Sequence, residues 1–151
     1  MSVCYYAKLI YGVPFSEAIK EETLEEEIEV TCKNTKTGQS TGHIEYRKTP
    51  VIWVGDLQFT RNEFNDACWE KGGILQDENG NSYVHRKYYG TDDLKYGVFG
   101  VIVSRNGEYR EDVGKVDREH LKKCFLEAKK LLESVGLGDR LSLHLLLTVS
   151  G

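Results

Sequence analysis

The sequence predicts an α+β fold: a mainly antiparallel sheet, one long amphipathic helix packed across it, and one or two shorter helices. Three observations carry this. Asn-Gly pairs at 79–80 and 106–107 lie between extended-looking segments, and Asn-Gly accepts the positive φ of a tight hairpin, so two hairpins and an antiparallel sheet are expected. Between Arg118 and Val135, apolar residues recur at helical spacing. Segments near both ends of the chain alternate between apolar and other residues, as strands do. At 151 residues the chain fits one domain, 1–151, which would bury about two-thirds of its unfolded surface. No repeat, low-complexity run or linker marks a boundary within it.

In chain order, Val3 to Tyr11 alternates and reads as a strand, with Val3, Tyr5, Ala7, Leu9 and Tyr11 on one face. After Pro14, Ser16 or Thr23 could cap a weak, exposed helix through the acidic run Glu17 to Glu29, whose apolar content (Ile19, Leu24, Ile28) is thin. Residues 28–32 then read as a strand, Asn34 to Gly42 as a polar turn, and His43 to Tyr46 and Val51 to Val54 as two short strands. Leu57 to Gly73 holds a helix: Thr60 and Glu63 form a capping box, Phe64, Ala67 and Cys68 make an apolar stripe, and Gly72-Gly73 ends it.

The polar stretch Asp77 to Ser82 contains the first Asn-Gly and separates Ile74-Leu75 from Tyr83-Val84. The second Asn-Gly joins the apolar run Gly97 to Ser104 to the alternating Tyr109 to Val113. In the long helix, Leu121, Phe125, Ala128, Leu132 and Val135 fall on one face. Asp117 can cap it, Val116 can staple onto Leu121, and Gly136-Leu137 supplies a Schellman stop. Leu141 to Val149 closes the chain with a leucine row at 143, 145 and 147 that demands burial, so this strand is expected at the centre of the sheet.

Composition narrows the function classes. The net charge is -4, and seven glutamates against one lysine between Glu17 and Glu29 leave the rest of the chain net positive, which argues against duplex DNA and permits a local basic site. No apolar run is long enough to cross a bilayer and no signal-like segment opens the chain, so a cytoplasmic protein away from membranes is expected. Cysteines at 4, 32, 68 and 124 are too dispersed for a metal knuckle and read as reduced, mostly buried thiols.

Catalytic chemistry leaves little trace. The histidines and cysteines lack the short spacing that seats two metal ligands on one turn, so no metal or cofactor is expected. His43-Ile44-Glu45 matches a fragment of the zinc-deaminase pattern, but no PCxxC follows. There is no GxSxG elbow and no phosphate loop, and Cys68 belongs to a helix stripe. The acidic pairs Asp77-Glu78 and Asp92-Asp93 sit in turns, where such residues ordinarily cap or solvate.

The stretch with most chemistry is Tyr83 to Tyr89, in which His85, Arg86 and Lys87 interleave with Tyr88 and Tyr89. Basic groups attract phosphate and tyrosine rings stack on bases, so these five residues are the expected ligand site; the plain alternative is a strand with a solvated basic face. The expectation is a non-enzymatic binding protein that takes an anionic ligand such as a nucleotide, or a partner protein. Phage-type accessory proteins that sequester a host factor or a nucleotide signal share this general look. Two further readings are a small metal-dependent hydrolase or nuclease using Asp92, Asp93, His85 or His43, and a homo-oligomer assembled through a sheet edge or the last strand.

Overall fold

A computed structural model describes residues 4–88, 94–107 and 116–150. Among these residues, two antiparallel sheets and three α-helices make up the α+β fold. The first sheet has the order β5-β6-β1-β7, with β1 Cys4–Pro14, β5 Val84–Arg86, β6 Gly97–Gly107 and β7 Ser142–Ser150. The second has the order β2-β3-β4, with β2 Ile19–Lys33, β3 Ser40–Val54 and β4 Leu57–Thr60. The helices are α1 Phe15–Ala18, α2 Arg61–Trp69 and α3 Arg118–Ser134.

The acidic run is strand, not helix. All fifteen residues of β2 pair in unbroken register with β3, and the two short strands expected at 43–46 and 51–54 are parts of this one long strand. Glutamate favours helix only weakly, and a partner rich in Val, Ile, Tyr and Trp offers a complete backbone ladder instead. Cross-strand charge supports the pairing: Glu25 lies 3.7 Å from Lys48, and the Trp53 indole N–H donates to Glu22 at 2.9 Å. Residues 40–48 are exposed throughout, so the outer half of the β2/β3 ribbon stands away from the core.

The turn Gly55-Asp56 between β3 and β4 docks this sheet on the rest. Gly55 N–H donates to Ala18 O and Asp56 N–H to Val135 O, each at 2.9 Å. Gly55 has φ +56°, and a Cβ there would stand 2.0 Å from Val135 O, so the close approach requires glycine. Around this joint the main core gathers Phe15, Val54, Phe59, Phe64, Leu75, Phe99 and Leu132.

Both helices start at the predicted caps, but α2 ends at Trp69, before Gly72-Gly73, and the residues Leu57–Thr60 ahead of it are the strand β4. Thr60 Oγ1 accepts from Glu63 N–H while Glu63 reaches back to Thr60 N–H. Asp117 accepts from His120 N–H, and Leu137 N–H returns to Leu132 O at 2.7 Å after Gly136. Ala128, Leu132 and Val135 of the expected α3 stripe are buried and Leu121 packs beside them, but Cys124 is buried where Phe125 was expected, and Phe125 is 40% exposed and meets Tyr11 edge-on at 5.7 Å. The helix covers β6 and β1 and leaves β7 open.

Three expectations about the strands fail. Asn106-Gly107 does not turn; it continues β6 and pairs with Ala7 and Tyr6, because β1 offers a ladder that far. Asn79-Gly80 does turn, with Gly80 at φ +82°, but it closes a single bridge between Gln76 and Ser82 rather than a hairpin between two strands. The strand expected at 109–113 lies outside the described residues. The leucine-rich β7, expected at the centre, is an edge strand.

β1 and β6 approach closely where Gly12 pairs with Gly100, since a Cβ on either would meet the other strand's carbonyl oxygen at 2.1 Å. The β5 end reaches round to β7 on the face away from α3. The fully buried Thr148 of β7 donates its hydroxyl to Arg86 O at 3.3 Å, although β5 and β7 are at opposite ends of the strand order.

Candidate functional site

The crossing of β5 over the sheet builds a cleft of about 310 Å³. Its floor is the cross-strand pair Lys8 and Arg105, with Ile102. Its wall is Arg86 and Tyr88, and Trp69, the last residue of α2, stands at its mouth. Three cationic side chains from β1, β5 and β6 thus converge beside two half-exposed aromatic rings. The Arg86 guanidinium lies 5.2 Å from the Trp69 ring centre, a cation–π contact that holds a long side chain in place.

Lys8 and Arg105 stand close enough to affect each other. Partial burial and the neighbouring Arg105 both push the Lys8 ammonium below the ordinary lysine range.

The five residues singled out from sequence have different fates. Arg86 and Tyr88 line the cleft. His85 touches it but is buried, and its Nε2 lies 2.9 Å from Gly100 O; a carbonyl only accepts, so Nε2 carries the proton and donates. Burial, and next the charge of Lys8, lower its pKa to about 4 against the opposing effect of the Gly100 bond. His85 is therefore neutral at pH 7 and already engaged with backbone. Lys87 is outside the lining: its Nζ sits 5.5 Å from the ring centres of both Tyr88 and Tyr96. Tyr89 lies outside the described residues.

Lys8, Trp69 and Arg105 were not picked out from sequence. Lys8 carried a faint signal, as a charge in the row Cys4, Tyr6, Lys8, Ile10 of a strand that is otherwise largely uncharged. Trp69 and Arg105 carried none for this site, because α2 and β6 bring them to Arg86 from distant parts of the chain.

The described residues do not assemble a catalytic set. No group of three His, Cys, Asp or Glu among them could hold a metal ion. His43 is exposed in the β2/β3 ribbon, far in the strand order from the buried His85, and Asp92 and Asp93 lie outside the described residues. Cys124 Sγ stands 3.6 Å from His120 Nε2, but that nitrogen lies 2.7 Å from Val103 O and so carries a proton of its own, leaving it unable to take one from the thiol. Burial first, then Glu127, also raise the Cys124 thiol. Burial pushes Cys68 up to about 12, so it too stays an inert thiol. Among the described residues no helix is long and apolar enough to cross a membrane.

The chain matches no known protein family, no curated protein and no solved structure.

Proposed function

We propose that this chain is a binding protein whose cleft takes a small anionic ligand with a planar ring, the nucleotide class being the best fit. The observation that carries the reading is the convergence of Lys8, Arg86 and Arg105 from three strands on one cleft edged by Trp69 and Tyr88. Guanidinium groups hold phosphate oxygens through paired hydrogen bonds, the ammonium adds a point charge, and the rings offer stacking surface. A volume of about 310 Å³ suits a mononucleotide rather than a longer ligand.

Titration with a fluorescent adenine nucleotide, competed by unlabelled mono- and triphosphates and by inorganic phosphate, tests the reading. Binding should weaken with salt, and Arg105→Ala, a change at an exposed position, should reduce affinity at least about tenfold, the size expected for losing one charged hydrogen bond. Replacing Arg86 and Tyr88 together with alanine should do at least as much. A wild-type protein that retains none of these anions, or an Arg105→Ala protein that binds equally well, overturns the proposal.

A further inference from the structure

The two edges of the first sheet are treated in opposite ways. Past Gly100, where β5 stops pairing, the outer carbonyls of β6 are occupied by side chains. His85 bonds Gly100 O at 2.9 Å, His120 bonds Val103 O at 2.7 Å, and Cys124 Sγ points to Ile102 O at 3.9 Å. An edge plugged in this way cannot accept another strand.

The β7 edge has none of these devices. It pairs with β1 from Ser142 to Ser150 without a bulge, it carries no proline, lysine, arginine or carboxylate, and no strand among the described residues pairs with its outer side. Its odd row is apolar and uncovered: Leu143, Leu145 and Leu147 are 45%, 76% and 50% exposed. Leu143 is the cross-strand partner of Tyr11, the residue that meets Phe125, so the row continues into the open flank of α3. A long, flat, apolar edge left exposed is a surface that another chain normally covers.

We infer that the cover is a second copy of this chain, its β7 running antiparallel to the first across a two-fold axis near Leu145, so that two four-stranded sheets become one. The strand is complementary to itself. With Leu145 opposite Leu145, Leu143 meets Leu147 of the second copy and the apolar row stays on one face along its whole length. No like charges are brought together, because His144 is the only ionisable residue of β7. Pairing would satisfy the open backbone edge of each β7 and pack the flanks of the three leucines against those of the second copy, so that the backbone ladder and the matched apolar row carry the association. The inference is independent of the proposed ligand, whose cleft opens on the opposite face.

Sedimentation of the full chain from low to high micromolar concentration, in reductant to keep the exposed Cys32 from cross-linking copies, should show a dimer. Leu145→Lys places a charge at the axis on an already exposed position, so it should fold normally by circular dichroism and weaken association at least tenfold. A Leu145→Cys protein, prepared with Cys32→Ser, should form an interchain disulfide through residue 145 on mild oxidation. A wild type that stays monomeric overturns the inference and leaves β7 to a different partner. A dimer indifferent to Leu145→Lys overturns it as well, since the contact would then lie elsewhere.

Discussion

Acidification should act on this protein through His85 in a way that its geometry sets. The ring is 5% exposed, close to Lys8, and held at a pKa of about 4, below the ordinary histidine value of 6.5. The folded state therefore binds a proton less readily than the unfolded chain. The depressed pKa fixes the sign: the contribution is fully present above pH 6.5 and is lost as pH falls toward and through 4. From those two values the loss is about 2 kcal/mol at pH 5 and about 3 kcal/mol at pH 4. Carboxylates titrate in part of the same window, so the assay is a comparison. Urea unfolding of the wild type and of His85→Gln, whose amide can still donate to Gly100 O but does not titrate, should be followed between pH 7 and pH 4. The variant starts less stable and the two curves should converge by the stated amounts. Curves that stay parallel would refute a neutral, buried His85.

Other consequences can be checked singly. Thr60→Ala removes the side-chain acceptor for Glu63 N–H and should lower unfolding free energy by about 1 kcal/mol in urea titration, while an unchanged midpoint would deny the capping box a role. Gly55→Ala forces an unfavourable φ and drives a Cβ into Val135 O, so a loss above about 1 kcal/mol is expected, and no loss would mean that the Gly55-Asp56 turn does not dock as described. Native-state alkylation read by peptide mass mapping should modify Cys32 readily and Cys68 only on unfolding, and rapid labelling of Cys68 would contradict its burial.

Local chemistry was legible where it acts over a few residues. Thr60 with Glu63, and Asp117 with Gly136, mark helix ends by satisfying backbone groups within one turn, and the sequence order alone names them. The Phe125 placement was harder: the apolar stripe of α3 is wide, and which part of it faces the sheet depends on where the helix lies across β6 and β1. Within the site, Arg86 and Tyr88 stood out as a basic and aromatic cluster in one stretch, whereas Lys8, Trp69 and Arg105 are scattered singly along the chain and carry no shared local signature.

The sequence by itself determined the α+β class, the caps that start both longer helices and the strand character of the segments near the two chain ends. Tertiary structure alone decided that the acidic run is a strand, because a fifteen-residue ladder to β3 outweighs the slight helix preference of glutamate. It alone decided that the leucine row lies at an edge, since strand order is a choice among partners and not a property of one segment. The cleft is of the same kind. Lys8 and Arg105 meet there as cross-strand partners of β1 and β6, and Arg86 joins them from β5, contacts between residues far apart in the chain that no local pattern encodes.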